Sequence, residues 1–224
     1  MENIDAAIAA ATDYTFLGAA GGRGAVETLC TTAAAAGCAS VCVNPAEIAQ
    51  AARLLAGSKV KVCTVVDFPL GQGTARAKRD EALEAMALGA SEIDAVANQR
   101  LLKYDPAACR ANLRPMVEAV RAAGGGTVLK LILECCNLEN AEKARGCAIA
   151  LDLGFDFVKT STGFGKGGAT AEDVALMAAE TRGRALVKAA GGIRTREAAL
   201  AMMAAGAARI GASSPVWLRA PVLD

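Results

Sequence analysis

The chain has 224 residues, a net charge of +1 and 54% hydrophobic residues, enough for one large core and without the charge excess of a nucleic-acid or membrane-surface binder. Aromatic residues make up only 4%, leaving few platforms on which bases could stack, and no apolar run reaches the ~18 residues of a membrane helix. There is no histidine, which removes Ser-His-Asp and Cys-His nucleophile systems and imidazole zinc sites and leaves acid-base work to Lys, Asp, Glu, Tyr, Cys or water.

The acidic opening Met1-Glu2-Asn3-Ile4-Asp5 lacks the basic-then-apolar order of a signal peptide, so a cytoplasmic location is expected. Ile4 and Ile8, four apart, predict a short helix over 2–11. Thr12 to Leu17 reads as a first strand, followed by a loose turn from Gly18 to Gly24 and a helix over 25–36 closed by Gly37. Ser40 to Asn44 is a second strand, and Pro45 opens the next helix where proline is tolerated. Lys61 to Phe68 is a third strand, with a helix over 74–88. Glu92 to Ala97 is a fourth, with a long helix running to about 123 and ended by Gly124-Gly125-Gly126. Val128 to Glu134 is a fifth, with a helix over 139–153. Phe157 to Gly163 is a sixth, with a helix over 171–182 capped by Thr170. Leu186 to Ala190 is a seventh, with a helix over 195–205. Arg209 to Ala212 is an eighth, ending in Ser213-Ser214.

Eight strand-then-helix units at roughly 25-residue spacing imply a parallel sheet. In a chain of this length they predict a (β/α)8 TIM barrel behind a short N-terminal helix, with a doubly wound open sheet as the rival. No linker or low-complexity segment divides residues 1–224, so a single domain is expected. The eight cysteines include no CxxC. Cys42 and Cys63 fall inside apolar strands, as reduced core thiols do.

Active-site groups in such barrels sit at or near the C-terminal ends of strands. This chain puts Asp94 in strand four, Lys130 and Glu134 in strand five, Lys159 in strand six and Lys188 in strand seven. A lysine in a strand of Val, Leu and Ile can snorkel outward under a helix, but three in consecutive strands argue for a charge cluster. A charged Lys188 beside Lys159 disfavours a second charge, so Lys159 becomes the amine that sheds its proton and attacks carbonyl carbon. Asp94 supplies a carboxylate that balances charge and moves protons. Glycine-rich turns follow strands six (Thr162-Gly163 to Gly168), seven (Gly191-Gly192) and eight (Gly211 to Ser214), where barrels hold phosphate on open N–H groups. The residues alone describe a lyase or isomerase acting on a small phosphorylated carbonyl compound.

Several runs in order along the chain carry a resemblance. They include Asp13-Tyr14-Thr15-Phe16-Leu17, Val41-Cys42-Val43-Asn44-Pro45, Thr64 to Gly71, Glu92-Ile93-Asp94, Lys130 to Glu134, Asp156 to Gly163, Gly167 to Thr170, Val187 to Thr195 and Arg209 to Ser214. With them the chain resembles the deoxyribose-phosphate aldolases, a class I aldolase family. The resemblance implies a Schiff base on Lys159, a second lysine at Lys188 and proton transfer by Asp94. It also implies substrate-binding roles for Asp13, Cys42, Lys130, Thr162, Gly163, Gly191, Gly192, Gly211, Ser213 and Ser214. It further implies reversible cleavage of 2-deoxy-D-ribose 5-phosphate to D-glyceraldehyde 3-phosphate and acetaldehyde, with no metal or organic cofactor, and a homodimer, although no exposed apolar stripe marks an interface. Another Schiff-base sugar-phosphate aldolase and a non-catalytic sugar-phosphate-binding barrel are the alternatives. Tyr14, Asp67 and Pro215 depart from the family's usual histidine, glycine and glycine. Asp67 is expected to alter charge near the site, and Pro215 to shift the segment carrying Ser213 and Ser214. The tail 219–224 lacks the C-terminal tyrosine of some members.

Overall fold

The computed structural model describes residues 2–218, with side chains from Asp5 onward; the tail 219–224 and the Ile4 side chain of the expected apolar pair lie outside the described residues. Eight parallel strands close into a barrel in chain order: β1 (Thr12–Phe16), β2 (Ser40–Val43), β3 (Lys61–Val66), β4 (Glu92–Val96), β5 (Val128–Ile132), β6 (Phe157–Lys159), β7 (Leu186–Ala190) and β8 (Ala207–Ala212). The last strand pairs back onto the first, with Asp13 opposite Gly211. That closure excludes the open doubly wound sheet.

Strand alternation divides the side chains into two environments. Val41, Val43, Ile93, Leu129, Leu131, Val158 and Ile210 face outward and form the main core with the helices. Each such burial contributes about 1.5–3 kcal/mol. The inward-facing apolar cluster is small, made of Leu17, Cys42, Cys63 and Val65 with Phe68 against it. Much of the remaining interior is charged, which a barrel tolerates only if the charges pair.

The helices follow the expected caps. Thr74, Thr170 and Thr195 accept from the backbone three residues on, opening α4 (Ala75–Ala87), α8 (Ala171–Thr181) and α9 (Arg196–Ala204). A reciprocal Glu139/Glu142 capping box opens α7 (Asn140–Leu153). The N-terminal helix α1 (Glu2–Ala10) and the helix α2 (Ala25–Ala36) lie where the periodicity put them.

Three elements differ from expectation. Pro45–Glu47 is a 3-10 turn before the short α3 (Ile48–Leu54). The polar stretch before Pro106 contains its own short helix, α5 (Gln99–Tyr104), capped by Asn98, ahead of α6 (Pro106–Ala123). β6 stops at Lys159 because the Thr160 hydroxyl takes over both backbone groups of Ala190, donating to its carbonyl at 3.2 Å and accepting its N–H at 3.1 Å.

The expectation that Asp67 alters the charge of the site is corrected. Asp67 sits in the left-handed region at φ 53, and its carboxylate pairs with Lys78, which is fully buried on α4. It also accepts the Gly73 N–H at 2.8 Å. Asp67 thus locks the β3–α4 loop and is not among the residues lining the cavity. Pro215 precedes a 3-10 turn, Val216–Leu218, whose buried Trp217 donates to the Thr12 hydroxyl at 3.1 Å.

Candidate active site

The register brings the strand lysines together. Lys159 lies directly opposite Lys188 on β7, and Asp94 lies opposite Lys130 on β5. All four side chains point into the barrel. Asp94 Oδ2 accepts from Lys159 and from Lys188, each at 2.7 Å, and its Oδ1 accepts from Lys130 at 2.8 Å. One carboxylate therefore serves three ammonium groups. Lys130, Lys188 and Asp94 are fully buried, and Lys159 is nearly so at 3% exposure.

A lower layer supports this centre. Lys188 also pairs with Asp13 at 2.5 Å, and Lys130 with Glu92 at 2.7 Å. Arg209 from β8 bridges Asp13 and Glu92, the latter at 3.1 Å, with its guanidinium 5.4 Å above the Phe157 ring. Sequence reasoning missed Glu92 and Arg209 as members of this network. Their signal was their inward parity, two positions from Asp94 and Gly211 respectively.

The electrostatics follow from the pairing. Burial works against the Asp94 carboxylate, but Lys130, Lys159 and Lys188 outweigh it and hold the carboxyl well below the usual range. Asp13 is held down in the same way against burial, by Lys188, Lys130 and Arg209. Lys188 and Lys130 move in the opposite direction. Burial disfavours their charge, yet the carboxylates keep both above an ordinary lysine.

Above this centre opens a cavity of about 330 Å³, with Lys159 in its wall. Of the expected substrate-binding residues, Thr162, Gly163, Gly191, Gly192, Gly211, Ser213 and Ser214 all line it. The glycine turns after β6 and β7 touch through their backbones. Ala169 N donates to the Gly191 carbonyl at 3.0 Å, and a Cβ on Gly168 would stand 2.1 Å from that carbonyl oxygen. Asp13, Cys42 and Lys130, expected to bind substrate, are instead fully buried and absent from the cavity wall. Asp13 pairs with Lys188 and Arg209, and Lys130 with Asp94 and Glu92. Cys42 and Cys63 are register partners, and hydrogen bonding from Cys63 draws the Cys42 thiol below its usual range while burial drives Cys63 well above.

Sequence reasoning also missed parts of the wall. Phe16, Leu17 and the exposed Arg194 line the cavity, and Phe164 in the wall meets Phe68 edge-on at 5.2 Å. Among the described residues, two sets of acidic and thiol groups lie within 4.8 Å of one another, Cys42-Cys63-Asp94 and Asp13-Cys63-Glu92. Their carboxylates already accept from lysine or arginine, so these sets are ion-pair networks that a cation would have to dismantle.

A parallel barrel with buried lysines clustered on one carboxylate beneath an open, glycine-walled cavity defines the class of lysine-centred barrel enzymes. The family model described as "DeoC/LacD family aldolase" matches residues 7–222. The deoxyribose-phosphate aldolase of Brevibacillus brevis is 45% identical over 204 residues, covering 91% of each chain, and that of Bacillus cereus is 49% identical over 178 residues, covering 80% of this chain and 79% of the relative. Among solved structures, the tetrameric deoxyribose phosphate aldolase from Aeropyrum pernix superposes with a TM-score of 0.88 at 30% identity, covering 96% and 90% of the two chains. The chain belongs to the DeoC/LacD aldolase family.

Proposed function

We propose that this chain is a class I aldolase that reversibly cleaves 2-deoxy-D-ribose 5-phosphate to D-glyceraldehyde 3-phosphate and acetaldehyde, with Lys159 as the Schiff-base lysine. The observation that carries the reading is Lys159 Nζ in the cavity wall while bonded to Asp94 Oδ2 at 2.7 Å. That bond is a route for the ammonium proton to leave. The interior cluster contains three carboxylates (Asp13, Glu92, Asp94) against Lys130, Lys188, Arg209 and Lys159. Its charges balance once Lys159 has given up its proton, which supports Lys159 as the member that acts as a nucleophile.

The neutral amine adds to the C1 aldehyde of the open-chain sugar, and loss of water gives an iminium. A base removes the C3 hydroxyl proton, the C2–C3 bond breaks, and its electron pair flows into the iminium to give an enamine. Glyceraldehyde 3-phosphate leaves. Protonation of the enamine at C2 regenerates an iminium, and water releases acetaldehyde and the free amine. In this reading Asp94 receives and returns protons, with Lys188 donating to the same carboxylate oxygen as Lys159. The phosphate is assigned to the wall made by Gly163, Gly191, Gly192, Ser213 and Ser214, with Thr162 and Gly211 beside them and the Arg194 guanidinium at the rim. Among the described residues no helix is long and apolar enough to cross a membrane. We assign the enzyme to the cytoplasm, where the seven buried free thiols and exposed Cys136 would stay reduced, and we take it to work as a homodimer.

The test is borohydride reduction in the presence of acetaldehyde, followed by mass spectrometry on the wild type and on Lys159→Ala. The expected result is a two-carbon adduct on Lys159, lost in the variant together with cleavage of the sugar phosphate. A wild type without adduct and without turnover would sink the aldolase reading and leave a sugar-phosphate-binding barrel.

A further inference from the structure

The carboxyl group of Glu134 is buried just beyond the end of β5, and the reaction just described does not use it. Its surroundings are unusual in three respects. First, Glu134 is 3% exposed, and no ion pair is formed by it among the described residues. Second, its backbone is left-handed, φ 58 and ψ 64, a conformation that costs a non-glycine residue energy and persists where surrounding contacts hold it. Third, apart from the neighbouring Cys136 thiol at 3.8 Å from Oε1, its donors come from one loop. The Thr162 hydroxyl donates to Oε2, and the Thr162 N–H lies 3.3 Å from Oε1 and 3.4 Å from Oε2.

The strands on either side fix this geometry. Leu133 N donates to Lys159 O at 3.0 Å and Cys135 N to Thr160 O at 2.8 Å. Residues 133 and 135 thus continue the pairing with the β6 segment, while Glu134 between them throws its side chain over the loop that follows. The loop closes tightly on it, since a Cβ on Gly165 would stand 2.9 Å from the Glu134 carboxyl carbon. Thr162 passes the restraint on, because its hydroxyl also accepts the Phe164 N–H at 3.0 Å. Glu134 itself is absent from the cavity wall, whereas Thr162, Gly163 and Phe164 form part of it.

We propose that Glu134 is a positioning residue for phosphate recognition: acting through Thr162, it holds the β6–α8 loop in the shape that lets Gly163 wall the anion end of the cavity. This rests on the aldolase reading above and adds a determinant of the preference for a phosphorylated substrate. The carbonyl-reacting centre hangs from Asp94 and does not pass through this clamp. Loosening the loop therefore weakens phosphate binding and spares the lysine chemistry.

The experiment compares 2-deoxyribose 5-phosphate with unphosphorylated 2-deoxyribose on the full-length wild type, Glu134→Ala, Glu134→Asp and Glu134→Gln. In Glu134→Ala we expect KM for the phosphorylated sugar to rise about tenfold with kcat within twofold, and kcat/KM for the plain sugar to stay within twofold. Glu134→Gln is expected to return KM to within threefold of wild type, because one oxygen suffices for the Thr162 hydroxyl. Should Glu134→Ala not fold, Glu134→Asp carries the same expectation, since its shorter side chain keeps a carboxyl but cannot reach Thr162. Equal losses on both sugars, or no change in KM, would overturn the proposal while leaving the aldolase reading intact. Absence of turnover in the wild type would instead refute the reading beneath it.

Discussion

Lys159 and Lys188 meet on a single oxygen of Asp94, each donating at 2.7 Å. The two amines are thus at most twice that distance apart, and the carboxylate between them is what lets both be buried. Asp94→Asn replaces a dianchored anion with a neutral amide that offers one acceptor to three amines. We expect kcat for sugar-phosphate cleavage to fall by about 10²–10⁴-fold, the usual worth of a positioned acid-base group. Removing one partner of a buried pair also destabilises by about 3–5 kcal/mol. Steady-state kinetics beside a urea titration will separate the two effects. Undiminished kcat in folded Asp94→Asn would take proton transfer away from Asp94.

The same pairing sets the pH range of stability. Asp94 and Asp13 ionise in the folded chain below the ordinary 3.8, so their contribution is present above that value and is lost as pH falls below it toward their native values. Lys188 and Lys130 protonate above the ordinary 10.5, so their contribution is complete below 10.5 and is lost as pH rises beyond it. The expected profile of urea midpoint against pH is a plateau between about 5 and 9, with losses on both flanks. Asp94→Asn should lower the plateau and flatten the acid flank. A wild-type midpoint that declines steadily from pH 9 to 5 would contradict this account.

The barrel was legible because most strands carry a short apolar run and most helices end in a glycine or begin with a threonine, as at Gly37 and Thr170. Position in the strand was enough to bring Asp94, Lys130, Lys159 and Lys188 together. What the sequence hid was depth. Asp13 lies in the same motif as Thr15, Phe16 and Leu17 of the cavity wall, but strand stagger places it a layer lower, and nothing local encodes stagger. Arg209 meets Asp13 only because β8 closes on β1. Glu134 was visible as a strand-end carboxylate, but its left-handed backbone and its hold on Thr162 depend on contacts 28 residues apart. Asp67 misled because its partner Lys78 lies 11 residues on, buried on α4.

The Asp67–Lys78 pair gives a separate, purely structural prediction. Lys78 is fully buried, and among the described residues its hydrogen-bond partners besides Asp67 are the carbonyls of Gly71 at 3.1 Å and Val96 at 3.0 Å. Asp67→Asn removes the negative charge while keeping a residue that tolerates the left-handed backbone and can still accept the Gly73 N–H. The buried ammonium then loses its bonded counter-charge, and we expect a loss of about 3 kcal/mol, the low end for a broken buried pair because Asp67 keeps 19% of its side chain exposed and the Glu81 carboxylate also acts on Lys78. Adding Lys78→Met removes the orphaned charge and should restore at least half of the urea midpoint. Turnover per folded molecule should stay within about twofold in both variants, since the loop lock stands apart from the Asp94 centre. A fall in kcat at unchanged stability would return Asp67 to the active site, and the double variant would then fail to recover it.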